Sequence, residues 1–338
     1  MDKNNGFVFD FSSAPVILGS ASSVGKTEGE GPLRACFDIC NADDGVDSKS
    51  WESAEAQLVR QASALALQKA GLQNEDVEIA FAGDLLNQCT ASTFGLRELG
   101  IPLAGLFGAC STFALALCLS ALVVDGGYVP CALAVASSHF CGAEKQFRFP
   151  LEYGGQRPQT AQRTVTGAGA CVIGHGRTGV RITKGMIGRI TDLGVSDAAN
   201  MGAAMAPAAK RTVADFLRAT QTCPADYDMI LTGDLGLVGT KLLSELLLEE
   251  DGVDISGVHA DCGNMIFDND LQDTHAGGSG CGCSAAVVSS KILRDLEQGS
   301  LRRVLFAGTG ALMSPLTTLQ GESIPGIAHA VLLERTYL

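Results

Sequence analysis

Leu103-Ala-Gly-Leu-Phe-Gly-Ala-Cys-Ser-Thr112 passes from a short apolar strand pattern, through a glycine, to Cys110 and straight into a long apolar helix pattern. A cysteine opening a buried helix sits among unpaired backbone N–H groups at the positive end of the helix dipole. That setting is expected to favour thiolate and lower the thiol pKa. Cys110 is therefore the first candidate for chemistry or ligand contact. Cysteine also serves as a small buried hydrophobe, and the segment alone leaves both roles open.

Working outward, residues 1–50 read as an irregular extension with one strand near Pro15–Leu18. Ser20-Ala-Ser-Ser-Val-Gly-Lys-Thr27 imitates a phosphate-binding loop, but Ser20 replaces the first glycine, and the Gly/Glu-rich run at 28–32 stands where a helix should start, so it reads as a surface loop. A helix is expected from Glu52 to Ala70, with Leu58, Ala62, Leu65 and Ala66 on its buried face and Gly71 ending it. Strands follow at Val77–Ala82, 101–107 and 131–137, with a helix at 110–124. Alternating strands and helices predict an α/β chain with largely parallel sheets.

The second part of the chain repeats the first. The strand end Ala82-Gly-Asp84-Leu85 matches Thr232-Gly-Asp234-Leu235, and Cys110-Ser111 followed by a helix matches Cys283-Ser284 followed by a helix. Two related βαβ-rich halves are thus expected, at 1–176 and 177–338, with 185–209 as a connection. Asp84 and Asp234 fall in equivalent turns, where a structural role is expected for both.

The chain has 338 residues, 46% hydrophobic and 18% charged, enough for a large core. The net charge is −13, without a Lys/Arg-rich stripe, which argues against nucleic acid. Twelve cysteines lie mostly in apolar segments, so reduced thiols and an intracellular location are expected. Cys281-Gly-Cys283 lacks a partner cluster, and no metal or cofactor is expected. Neither a signal peptide nor an apolar run long enough to span a bilayer is found, so the chain reads as soluble.

A duplicated α/β half with a cysteine at the central buried helix resembles the thiolase and ketoacyl-synthase superfamily, and Ile327-Ala-His-Ala-Val-Leu-Leu-Glu-Arg335 resembles its last strand. Within it, the chain is similar to the stage V sporulation protein AD family of spore-forming bacteria. The strings carrying this are AGDLLNQ at 82–88, LFGACST at 106–112, SSH at 137–139, QFRFPLEYGGQRP at 146–158, TVTGAGA at 164–170, MGAAMAPAA at 201–209, LTGDL at 231–235 and AGGSGCGCSA at 276–285. The resemblance implies a thiolase-like fold layered α-β-α-β-α. It also implies binding of dipicolinic acid (pyridine-2,6-dicarboxylate), alone or as its calcium chelate, for uptake into the developing spore. Implied partners are the other proteins of that transport system and a second copy of the chain, at a peripheral position on the membrane around the forespore.

The superfamily's enzymes pair a nucleophilic cysteine with His, Asn, Lys or a second Cys. Cys110 matches the nucleophile, and His259 falls where a synthase places a catalytic histidine. The second half's helix start reads Gly280-Cys-Gly-Cys283 instead of Gly-His-Pro or a synthase Asn, and residues 322–326 lack the second thiolase cysteine. The sequence therefore favours a binding protein, with acyl transfer from a coenzyme A or carrier-protein thioester through Cys110 as the alternative. Cys281 and Cys283 either line the same cavity or pack beside glycine. Ser111, His139 and His259 are candidates to face the ligand, whereas His329 reads as structural. For the carboxylates, Arg148 and Arg157 are the favoured cations of a stretch that also carries Lys145 and Arg163, with aromatic residues between them; the same stretch can instead build a dimer interface.

Overall fold

The computed structural model describes residues 6–147 and 157–335. The first half supplies β1 (Val8–Asp10), β2 (Val16–Val24), β3 (Ile39–Cys40), β4 (Ile79–Gly83), β5 (Leu103–Gly105), β6 (Cys131–Ser138), β7 (Arg163–Thr164) and β8 (Gly167–Gly174). The second supplies β9 (Val180–Met186), β10 (Met229–Thr232), β11 (His259–Asp261), β12 (Gly278–Ser279), β13 (Arg303–Ala311) and β14 (Gly326–Arg335).

The main sheet runs β11-β10-β13-β14-β9-β2-β8-β6-β4-β5. Read inward from either edge, the pairings are the same: parallel, parallel, antiparallel, antiparallel. The sheets are therefore mixed rather than largely parallel, because β8 and β14 each return antiparallel beside the parallel strands of their half. The two sets join where Val16 of β2 meets Arg181 of β9.

Side-chain alternation along the two-sided strands sorts the core into layers. On β8, Ala168, Ala170 and Val172 pack outward with Leu58, Val59 and Ala62 of the helix Trp51–Ala70. Cys171 and Ile173 face inward, toward Phe113 and Leu117 of the helix Thr112–Asp125. On β13, Val304 and Phe306 share that inner core, while Leu305 and Ala307 pack outward with Met205, Val213 and Phe216 of the helix Met201–Thr220 and Leu243 of the helix Gly236–Asp251. The result is α-β-α-β-α, with the helices Thr112–Asp125 and Cys281–Val287 in the middle layer. The outer helix Trp51–Ala70 begins at Ser50, whose hydroxyl accepts from the Ser53 N–H, and ends at the left-handed Gly71 (φ 70°).

Residues 1–50 depart from the irregular extension expected. Strand β2 runs nine residues at the centre of the sheet, and Ser20 to Val24 pair with Cys171 to Gly167 of β8. The imitation phosphate loop is consequently a buried strand followed by a single helical turn, Lys26–Gly29. Among the described residues, no helix is long and apolar enough to cross a membrane.

Candidate ligand site at the Cys110 turn

Cys110 precedes its helix rather than opening it: Ser111 is the N-cap and Thr112 the first helical residue. Ala109 is left-handed, with φ 48°, a conformation that costs a non-glycine residue about 1–3 kcal/mol. Side-chain bonds hold this turn. Thr112 Oγ1 donates to the Ala109 carbonyl at 2.7 Å and accepts from the Gly108 N–H at 3.1 Å, while Ser111 Oγ donates to the Gly108 carbonyl at 2.5 Å. Gly310 of β13 lies so close that a Cβ there would stand 2.4 Å from the Gly108 carbonyl oxygen. Strand β13 thus braces the turn only because it carries glycine at that point.

The turn forms one wall of a cavity of about 220 Å³. Leu85, Phe107, Phe147 and Met313 give it apolar and aromatic surface, and Cys110, Gln162, Thr164 and Ser279 give it polar groups. Cys110 Sγ lies 3.8 Å from Ser279 Oγ, so the Cys110 turn and the turn opening the second central helix meet there. Beneath them is Asp234, fully buried at the end of β10. It accepts from Ser279 Oγ at 2.8 Å, the Gly280 N–H at 2.9 Å and Thr309 Oγ1 at 2.8 Å, and it also contacts the Cys110 thiol. Burial raises the Asp234 carboxyl to about 7 against these bonds.

The thiol pKa moves opposite to the sequence expectation. Burial raises Cys110 well above the ordinary thiol value, and the neighbouring charges of Asp234 and Cys281 add to the rise. With Cys110 out of water and facing a carboxylate, the dipole of a helix that starts two residues later does not compensate. Cys110 is a neutral thiol at physiological pH.

The other candidates are dispersed. Cys281 donates its thiol to the Ala109 carbonyl at 2.9 Å and Cys283 to the Gly233 carbonyl at 3.7 Å; both are packed behind the wall rather than lining it. Ser111 likewise serves the turn. His259 sits on the edge strand β11 with Nε2 3.0 Å from Thr232 Oγ1, and burial lowers it to about 4. It lines no part of the cavity and is not placed as a base for Cys110. His139 donates from Nε2 to the Asp44 carbonyl at 2.7 Å and accepts at Nδ1 from the Cys141 N–H, which fixes a neutral tautomer outside the cavity lining. Arg157 Nη2 donates to the Asp273 carbonyl at 2.6 Å, Lys145 pairs with Glu52 at 2.6 Å, and the Arg163 guanidinium lies 4.0 Å from the centre of the Phe140 ring. None of the three lines the cavity. Arg148 lies outside the described residues. Among the described lining residues there is no Lys, Arg or His, and Glu144 is the charged one.

The matched helix starts of the two halves predict that the 278–283 turn meets Cys110, and Ser279 of that turn does so; Asp234 reads from the sequence as a structural turn residue, and Gln162 is not singled out. The signal for Asp234 was present in the Gly-Asp pair closing a strand. For Gln162, a lone amide in Thr160-Ala-Gln-Arg-Thr164, local pattern offers none.

A model of the family described as stage V sporulation protein AD matches residues 7–334. The stage V sporulation protein AD of Bacillus subtilis (strain 168) is 45% identical over 322 residues, covering 95% of each chain. Among solved structures, 3-oxoacyl-[acyl-carrier-protein] synthase III from Aquifex aeolicus VF5 superposes with a TM-score of 0.58 at 13% identity, over 95% of this chain and 99% of that one. An OleA variant from Xanthomonas campestris gives 0.60 at 16% identity, over 96% and 99%. At these identities the structural likeness carries the fold alone.

Proposed function

The chain belongs to the stage V sporulation protein AD family, a family of sporulation proteins, and from that premise we propose that it binds dipicolinic acid in the Cys110 cavity and supports its uptake into the developing spore. The observation that carries this reading is the cavity itself: a small space with apolar and aromatic walls suits a flat pyridine ring, and a few fixed polar groups can orient it. The state of Cys110 supports binding over acyl transfer, because a buried neutral thiol without a histidine among the described lining residues is a poor nucleophile. The carboxylate charges must be met on entry, since a buried unpaired anion costs several kcal/mol. Protons or a calcium ion carried with the ligand meet that need. Docking on the other proteins of the transport system at the forespore membrane, as a homodimer, belongs to the same proposal.

Acyl transfer through Cys110 stays as the second reading for one reason: the left-handed Ala109 sets the thiol on a cavity wall. Calorimetric titration of the full chain with dipicolinate, with and without calcium, and with acetyl-coenzyme A separates the two. We expect saturable dipicolinate binding that Ala143→Leu, which fills the cavity, weakens at least tenfold. Absence of dipicolinate binding, together with acetylation of Cys110 by acetyl-coenzyme A, would reverse the assignment.

A further inference from the structure

Two residues that line the Cys110 cavity touch one acid behind its wall. Ser279 Oγ donates to Asp234 at 2.8 Å, and the Cys110 thiol contacts the same carboxyl. Asp234 itself is closed to solvent, so it acts on a ligand through its field, across a single side chain. Its donors are neutral: the Ser279 and Thr309 hydroxyls and the Gly280 N–H. They lessen a negative charge there without cancelling it. The titratable groups around it are thiols and a second acid. Cys110 faces it from its turn, Cys281 and Cys283 from the second central helix, and Cys262 from the turn after β11. Asp261 of β11 accepts from the N–H groups of Leu235 and Gly236, the two residues that follow Asp234. His259 bonds Thr232, two residues before Asp234, and at about 4 it is already neutral near pH 7.

We propose that Asp234 is the proton switch of this cavity: an aromatic carboxylate binds there together with one proton from solvent, and that proton settles on the Asp234 carboxylate. Like charges separated by one side chain repel by about tenfold or more in affinity at the effective dielectric of a protein. Protonating Asp234 removes the repulsion, so ligand and proton each favour the other's binding. The carboxyl sits at about 7, which puts the change within reach of physiological pH. Affinity for the anion is full below that value, is lost as pH rises through it, and levels off once the liganded form also deprotonates. The inference rests on the cavity being the site of an anionic ligand, and it says where the accompanying proton goes: onto the protein rather than the ligand.

Benzoate and benzamide, an anion and its neutral isostere, are titrated into the full chain from pH 6 to 9 in buffer with a metal chelator. Benzoate stays ionised throughout, so its own protonation does not enter. Its affinity is expected to drop about tenfold over that range. Calorimetry in two buffers of different ionisation enthalpy should show about half a proton taken up per benzoate near pH 7.5. Benzamide is expected to show neither effect. In Asp234→Asn the drop is expected to vanish, and in Glu144→Gln, which neutralises the charged lining residue, to persist. Thermal melts check folding. Should Asp234→Asn not fold, Thr309→Val takes its place: loss of the Thr309 donor raises Asp234 further, and the drop moves to higher pH. A benzoate affinity that stays level, no benzoate binding at pH 6, or a drop unchanged in these folded Asp234 and Thr309 variants overturns the proposal. The benzoate response with no dipicolinate binding would keep the switch and remove the dipicolinate assignment; dipicolinate binding that stays level from pH 6 to 9 would do the reverse.

Discussion

At Cys110 the effects that govern the thiol compete, and burial wins. The exposed Cys40 and Cys223 should therefore react before Cys110 with iodoacetamide at neutral pH, although Cys110 is the thiol singled out by sequence. Peptide mapping after brief treatment reads the order, and Cys110 modified first would contradict the buried neutral thiol. Asp234→Asn removes the largest charge contribution to the raised thiol pKa and should speed Cys110 alkylation severalfold at pH 8. Asp234→Ala should cost at least about 3 kcal/mol, because the Ser279 and Thr309 hydroxyls and the Gly280 N–H all lose their acceptor. Urea unfolding measures that loss. The sequence made Cys110 legible because an apolar run, a glycine and a cysteine are adjacent in the chain. The matched helix starts also bring the 278–283 turn, with Ser279, to Cys110; Asp234 and Gln162 were not legible as parts of the site, since nothing local says that residues 162 and 234 join them.

Among the elements, the duplication was readable from the paired Gly-Asp strand ends, and their strands β4 and β10 hold equivalent places in the sheet. The paired cysteines mislead at finer grain. Cys110 stands two residues before its helix, whereas Cys283 is inside the helix Cys281–Val287, so Ser279 and Cys281 face the first-half turn instead. The extra helical residues form because Gly280 (φ 103°) lets the chain enter the helix early. The strand read near Pro15–Leu18 is the start of β2, and its continuation to Val24 is hidden because Ser20, Ser22 and Ser23 suit neither an apolar run nor clean alternation. It is buried nonetheless, with Ser23 donating to Gln61 Oε1 at 2.6 Å and Ser20 to the Ser289 carbonyl at 2.9 Å. Seating the second central helix on β8 depends on Gly169, where a Cβ would stand 2.1 Å from the Ala285 carbonyl oxygen. Gly169→Ala should therefore destabilise by more than about 3 kcal/mol or prevent folding, as overpacking against backbone cannot be relieved by a rotamer. Chemical unfolding beside the native protein checks this; a loss below about 1 kcal/mol would mean that the helix is free to shift.

The whole molecule carries an unusual number of buried acids, and these set its response to pH. Burial raises Glu28 to about 8, Asp234 to about 7 and Asp261 to about 6, all above their unfolded values near 4. A carboxyl with a raised folded pKa contributes stability that is complete below its unfolded pKa and is lost as pH rises through the folded one. Burial lowers His259 and His329 to about 4, so their contribution runs the other way: present above about 6.5 and lost as pH falls toward 4. Between pH 4 and 6.5 the two sets oppose one another. From 6.5 to 8 the histidines no longer change, and Glu28 and Asp234 continue to lose protons in the fold that the unfolded chain has already released. Stability should therefore fall over that interval, with a slope on the order of 1–2 kcal/mol per pH unit. Glu28→Gln isolates one contributor, because its amide oxygen can still accept from the Thr166 N–H, as Oε1 does at 2.9 Å; burial also raises the Glu55 carboxyl well above its ordinary value, and that acid adds to the same fall. That variant should be less pH-dependent than the native chain between pH 7 and 8.5. Urea unfolding at half-unit steps measures both slopes, and a native stability that stays level or climbs from pH 6.5 to 8 would show that these acids are already ionised in the fold.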